Sequence, residues 1–206
     1  MSESPVIVVL AAGRSSRFTG AGHKLAQSLG SGTVLGQTVR HAIETGLPVV
    51  VVTTETLMPE VSGLVAERDV VVLPSWQRPP DGAGMGYSIA AGVAARPGAA
   101  GWLMLPGDMP WVRPASIRAV ADELLHHPVV IAQHQGRRGH PVGFSPELYS
   151  DLVGLSGDEG ARRIVARYPA HGLELGDPGV LVDIDTQADL AAARSVAADG
   201  AALQPR

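Results

Sequence analysis

Three short stretches hold the residues whose types and spacing could do chemistry. "LAAGRSSRF", Leu10 to Phe18, is a glycine-containing loop with two cations, Arg14 and Arg17, and Lys24 follows it closely. "LPGDMPW" carries Asp108, and "VDIDT" carries Asp183 and Asp185. Glycine lets backbone amides approach a base or phosphate, and clustered cations neutralise a polyphosphate. A carboxylate directly after a buried strand is an oxygen donor for a hard cation such as Mg²⁺. Together the three stretches could form a site for a phosphorylated ligand and its metal.

Plainer readings stand beside this one. The loop cations could be solvated surface groups, and Asp108 could close an Asx turn or cap the helix that begins near Pro114. Asp183 and Asp185 alternate with Ile184, so period-two geometry puts both carboxylates on one face, where one of them completes a metal site with Asp108. Asp185 could instead cap the last helix beside Thr186. Neither common phosphate loop is written here: Lys24 stands between His23 and Leu25, and Gly13 is followed by Arg-Ser-Ser-Arg.

Further candidates are Ser88, with Gly84 and Gly86, in "GMGYSIAAG", at the start of a helix whose first amides could meet an anion. His140 lies beside a strand in "GRRGHP", while Arg137 and Arg138 fit an exposed hairpin tip. Asp158 opens "GDEGARRI", where it could cap a helix. His126 and His127 end a helix, where positive charge is mildly favourable, and receive no ligand role. The histidines show no zinc spacing.

The elements that must position these residues alternate along the chain. Val6–Leu10, "PVVVVTT", "DVVVLP", "GWLMLP", "PVVIAQH" and "VLVDID" read as strands, most of them apolar enough to be buried on both faces. Between them "TVLGQTVRHAIETG" puts Leu35, Val39, Ala42 and Ile43 on one helical stripe, with Gly46 as its C-cap. "MPEVSGLVAE", "GMGYSIAAGVAA", "RPASIRAVADELLHH", "PELYSDLVGL", "GDEGARRIVARY" and "TQADLAAARSVAAD" read as helices, the last with Thr186 as N-cap. This alternation predicts an α/β fold, a three-layer α/β/α sandwich around a mostly parallel sheet, with one antiparallel excursion around Gln135–Ser145. Ligands then gather at the carboxyl ends of the strands, where the three polar stretches would meet.

Bulk composition narrows the classes. With 206 residues, 45% of them hydrophobic and 17% charged, the chain is expected to be one domain over 1–206 with a loose tail from about 200. The net charge of −4 and pI near 5.9 argue against a broad nucleic-acid surface. The absence of cysteine excludes disulfides, thiolate metal sites and cysteine nucleophiles. "MSESPVIVVLAAG" lacks a basic leader, and its apolar run is too short to span a membrane, so a cytoplasmic protein is expected.

"LAAGRSSRF" with "HKLA", then "GMGYSIAAGV", "LPGDMPWV", "GRRGHPVGFS", "GDEGARRIV" and "DIDTQADL" resemble, in order, the blocks of the molybdopterin nucleotidyltransferases. Among these the chain looks most like the molybdenum cofactor cytidylyltransferases. The resemblance runs over nearly the whole chain and implies a Rossmann-like sheet of the nucleotide-diphospho-sugar transferase type. It implies that Leu10, Ala11, Ala12 and Gly13 border the base and ribose, and that Arg14, Arg17 and Lys24 face the triphosphate. Gly84, Gly86 and Ser88 would add to nucleotide binding. Asp108 with Asp183 (or Asp185) would hold Mg²⁺, with Lys24, Arg14 and Asp108 carrying catalysis. His140 and Asp158 would face the acceptor.

Related guanylyltransferases tend to have Leu-Ala-Gly-Gly where this chain has Leu10-Ala11-Ala12-Gly13, and the added methyl of Ala12 favours a pyrimidine, hence CTP. "HKLAQSLGSGTVLGQ" replaces the more usual Lys-Leu-Leu-x-Pro-Leu-Gly-Gly, leaving the acceptor less defined than the nucleotide. The reaction implied is transfer of CMP from CTP to molybdopterin with release of pyrophosphate. A molybdenum hydroxylase or its maturation factor would be the protein partner. The alternatives are a GTP-dependent enzyme or one using a sugar or polyol phosphate, and, from other classes, an NAD(P)-dependent oxidoreductase or a non-catalytic molybdopterin carrier.

Overall fold

Strand β1 (Val6–Leu10) alternates its side chains between two cores, and that alternation organises the layers. Ile7 and Val9 pack into one apolar cluster with Leu35, Val39, Ile117, Val120 and Leu190. Val6 and Val8 pack into another with Ile89, Val93, Leu152 and Ile164. The computed structural model describes residues 4–13, 15, 18–74 and 84–199. Arg14, Arg17 and the tail from 200 therefore lie outside the described residues.

After β1 come a small antiparallel pair, β2 (Ser28–Leu29) and β3 (Gly32–Thr33), then α1 (Val34–Glu44) and β4 (Val49–Thr54). There follow α2 (Met58–Val61), β5 (Val70–Leu73), α3 (Met85–Ala94), β6 (Trp102–Pro106) and α4 (Pro114–Glu123). The chain continues through β7 (Val129–His134), β8 (Arg137–Phe144), α5 (Tyr149–Val153), α6 (Arg162–Arg167), β9 (Ala170–Glu174) and α7 (Gln187–Asp199). Seven strands form one sheet in the order β5-β4-β1-β6-β8-β7-β9. Only β8 runs antiparallel to its neighbours, which is the expected excursion. Residues of α1, α4 and α7 pack on one face of the sheet and those of α3, α5 and α6 on the other, giving the expected α/β/α sandwich.

Three readings of the sequence need correction. "VLVDID" is no strand: Pro178–Leu181 forms a 3-10 turn, and the chain then runs irregularly to α7. Val180 and Ile184 are nonetheless buried and anchor the segment in the core. The sheet edge is taken by β9, "AHGLE", whose mixed polarity conceals a strand paired on one side only. Ile43 is 39% exposed and leaves the α1 stripe, whose buried residues are Val34, Leu35, Gly36, Thr38, Val39 and Ala42. "MPEVSGLVAE" keeps one helical turn, α2, because the chain leaves the helix at Ser62 and Gly63 has φ +84°. Helix α1 does end as expected, with Gly46 at φ +73° just beyond it.

Candidate active site

Strands β1 and β6 end level, with Leu10 beside Pro106, while β4 runs on to Thr54, two residues past Leu10's other neighbour Val52. The loops after β1 and β6 therefore leave the sheet side by side. Ala11 N–H donates to the Val52 carbonyl at 2.7 Å and Gly107 N–H to the Leu10 carbonyl at 2.9 Å. A Cβ on Gly107 would lie 3.1 Å from both Leu10 O and Leu35 Cδ1, so glycine permits this close approach. From α1, the buried Thr38 hydroxyl donates to the Gly107 carbonyl at 3.0 Å and pins the turn that carries Asp108. The Asp108 carbonyl in turn accepts from Ile184 N–H at 2.9 Å. That single backbone bond, with Ile184 buried, brings Asp183 and Asp185 to the rim without any β-ladder.

Lys24 is the centre of the cluster. Its Nζ donates to Asp108 Oδ2 at 2.6 Å and to Asp185 Oδ1 at 2.7 Å, with the three side chains only 12%, 18% and 17% exposed. Burial works to lower the Lys24 pKa, but Asp108 first and then Asp185 overcome it and hold the ammonium above its ordinary value. The Asp183 carboxyl is pushed up, by partial burial and then by the like charges of Asp185 and Asp108, although much of the residue remains open to solvent. His140, on β8, is held below its ordinary pKa by burial, with the nearby Asp108 carboxylate working the other way. It is therefore neutral at physiological pH.

The position of Lys24 depends on His23, which the sequence analysis named only as the residue before it. His23 caps the 3-10 turn Lys24–Ala26, its Nδ1 accepting from Leu25 N–H at 3.2 Å. Its Nε2 donates to the Gly13 carbonyl at 2.8 Å, so one imidazole fastens the glycine loop to the lysine turn. The tautomer follows from these two partners. A second omission is Asp177, which is buried and accepts from Arg113 N–H at 2.9 Å, Ser116 Oγ at 2.6 Å and Gly179 N–H at 3.0 Å. It fixes the start of α4 to the turn that precedes Asp183. The signal was "GDPG", an aspartate one residue before a proline that opens a turn.

The remaining candidates divide into two groups. Leu10, Ala11, Ala12 and Gly13 border the rim, Ala11 buried and Gly13 exposed, and a Cβ on Gly13 would meet nothing within 4 Å. Gly84, Gly86 and Asp158 form a separate junction: a Cβ on Gly84 would collide with Asp158 Oδ1, and Gly86 N–H donates to the Gly157 carbonyl at 2.8 Å. Ser88 is buried, with its hydroxyl turned onto the Gly84 carbonyl at 3.4 Å. Thr186 caps α7 as expected: its Oγ1 accepts from Asp189 N–H at 3.2 Å, and the Asp189 carboxylate accepts from Thr186 N–H at 2.7 Å. Asp185 is thus released from capping and carries Lys24.

The donor set fits a hard divalent cation. Asp108 Oδ1 is buried with no hydrogen-bond partner among the described residues, which is costly for a carboxylate oxygen unless a cation meets it. Asp183 and Asp185 supply more oxygens, and the repulsion that raises the Asp183 pKa is the kind a divalent charge relieves.

The same fold is found in known proteins. The family model of the MobA-like NTP transferase domain matches residues 7–172. The chain belongs to that family. The MobA-like assignment makes it a nucleotidyltransferase, a class whose chemistry typically uses a divalent metal. Among solved structures the fold is similar to Rv0371c from Mycobacterium tuberculosis, at 29% identity and TM-score 0.78, over 95% of this chain and all of that one. The same mycobacterial protein has been solved in complex with manganese, with 27% identity, TM-score 0.73 and coverage of 93% and 98%. A nucleotidyl transferase from Methanothermobacter thermautotrophicus matches at 26% identity and TM-score 0.78, covering 96% of this chain and 99% of that one. The purine catabolism protein PucB of Bacillus subtilis is 33% identical over 108 residues, 50% of this chain and 52% of PucB. That alignment therefore spans about half of each protein. Among the described residues no helix is long and apolar enough to cross a membrane.

Proposed function

We propose that this MobA-like NTP transferase moves CMP from CTP to molybdopterin, with Mg²⁺ as its metal, in the cytoplasm. The observation that carries the reading is the Lys24 ammonium set between Asp108 and Asp185 at the rim beside the Gly13 loop. The choice of molybdopterin and CTP rests on the sequence resemblance and on the Ala12 methyl. A molybdenum hydroxylase or its maturation factor would receive the product.

A terminal phosphate oxygen of the acceptor attacks the α-phosphorus in line. One O–P bond forms, the bond from the α-phosphorus to the bridging oxygen breaks, and pyrophosphate leaves with that electron pair. Such chemistry is mainly positioning and charge neutralisation. Asp108 with Asp183 or Asp185 would hold Mg²⁺, which when bound supplies positive charge to the triphosphate oxygens. Lys24, charged at all relevant pH, stabilises charge on the transferred and leaving groups, and His23 holds it against the nucleotide loop. Neutral His140, next to Asp108, offers the acceptor a hydrogen bond without opposing its phosphate charge. By resemblance, Arg14 and Arg17 are assigned to the triphosphate, Gly84, Gly86 and Ser88 to the nucleotide, and Asp158 to the acceptor.

The test is pyrophosphate release from purified molybdopterin, Mg²⁺ and each of CTP, GTP, ATP and UTP in parallel. CTP-selective release that requires molybdopterin is the expected result. Release with GTP alone would reassign the base, and release only with a sugar or polyol phosphate would reassign the acceptor.

A further inference from the structure

We propose that Glu123, His127 and His171 form a second metal-binding site, remote from the rim, that takes a transition-metal ion of the Zn²⁺ class. Glu123 is the last residue of α4, and His127 lies four residues on, with Nε2 at 3.7 Å from Glu123 Oε2. His171, the second residue of β9, stacks on His127 with ring centroids 4.1 Å apart and planes 6° from parallel. One donor atom from each of the three lies within 4.8 Å of the others, and all three residues are half-buried.

The chemistry selects the ion. Two imidazoles and one carboxylate are the protein ligands of an open tetrahedral zinc site, and imidazole discriminates against Mg²⁺ and Ca²⁺. Donors bound at about 2.1 Å in a tetrahedron lie roughly 3.4 Å apart, so the spacing is within reach of one ion once the two imidazoles turn out of their stacked planes to aim a nitrogen each at it. The pair is invisible to a spacing search, because 44 residues separate the two histidines and only the β7–β9 pairing brings them together. Its place is clear from the register: Trp102, Phe144, Val129 and Ala170 lie side by side, so β6, β7 and β9 all begin at this edge of the sheet. The loops of the active site leave from the opposite edge, after Leu10 and Pro106. A bound ion would clip the end of α4 to the edge strand and leave its fourth position to water.

The test uses the full chain, stripped of metal and then given millimolar Mg²⁺ to occupy the rim. Zn²⁺ is titrated by calorimetry, and bound metal is counted after dialysis. One Zn²⁺ per chain, retained against Mg²⁺ and raising the melting temperature, is expected. His171→Ala should bind it at least tenfold more weakly and lose that thermal gain. His127→Gln should do the same if His171→Ala folds poorly. Asp108→Ala should keep the Zn²⁺, and His127→Gln should keep nucleotidyl transfer. Equal Zn²⁺ binding by the wild type and both histidine variants would overturn the proposal, as would loss of the ion to Mg²⁺.

Discussion

Replacing Lys24 by methionine tests the centre of the site, because it keeps the bulk of the side chain and removes only the charge. Each contact, at 2.6 and 2.7 Å, is worth about 6 kcal/mol of gross attraction at an effective dielectric constant near 20. Desolvation of the three groups offsets most of that, and removing one member of a buried ion pair typically costs about 3–5 kcal/mol. The small residual exposure of these side chains places the expected loss near the lower end, about 3 kcal/mol. For a chain of this length that is a fall of about 6–12 °C in melting temperature. The assay is calorimetric melting without divalent metal at pH 7.5. Mg²⁺ should raise the melting temperature of Lys24→Met more than that of the wild type, since the cation relieves carboxylates that have lost their ammonium. Turnover should fall about 10²–10³-fold, as for other preorganised groups that stabilise developing charge. A variant that melts within 2 °C of the wild type and turns over within about threefold of it would refute the reasoning.

Three further perturbations separate the roles of other residues. The Asp183 carboxyl titrates above its unfolded value of about 3.9, so the native state binds its proton more tightly and stability falls as pH rises through that window. Asp183→Asn should therefore melt higher than the wild type at neutral pH without metal, with the gap closing below pH 4; parallel melting curves would contradict the repulsion. His23→Ala removes a cap and the strut to Gly13, so stability should fall by about 1 kcal/mol and kcat should drop roughly fivefold, the rate equivalent of about 1 kcal/mol of lost positioning, while His23→Asn should recover the stability alone. Asp177→Ala strands Arg113 N–H, Ser116 Oγ and Gly179 N–H, and should cost about 3 kcal/mol by urea unfolding.

What the sequence could reveal here was whatever local pattern encodes. Val6–Leu10 and Trp102–Pro106 are apolar runs whose ends are marked by glycine or proline, so both strands and the loops beyond them were legible, and with them Asp108. Thr186 could be read as a cap because its partner lies three residues away. Asp183 and Asp185 were recognised as a pair although the strand assigned to them does not exist: both carboxylates and Ile184 are placed by one bond to Asp108 O. The role of His23 was not legible, since it depends on the Gly13 carbonyl ten residues back in a fold not yet known. Strand β9 was missed for a related reason. An edge strand needs apolar side chains on little of its surface, and Ala170–Glu174 supplies its stability through backbone bonds to β7.

The ion pair between Lys24 and Asp185 joins residues 161 positions apart. During synthesis at roughly 5–20 residues per second, the lysine emerges about 10–30 s before the acid that completes its surroundings. The nucleotide loop and the Asp108 turn can dock much earlier, since β1 and β6 pair without help from the C-terminal region. Competence for catalysis is thus withheld until Asp185 has been synthesised. A nascent chain carries the cations that attract a triphosphate well before it carries the full acidic set. A chain cut just ahead of Ile184 would hold the residues of all seven strands and the Lys24–Asp108 pair but lack Asp185.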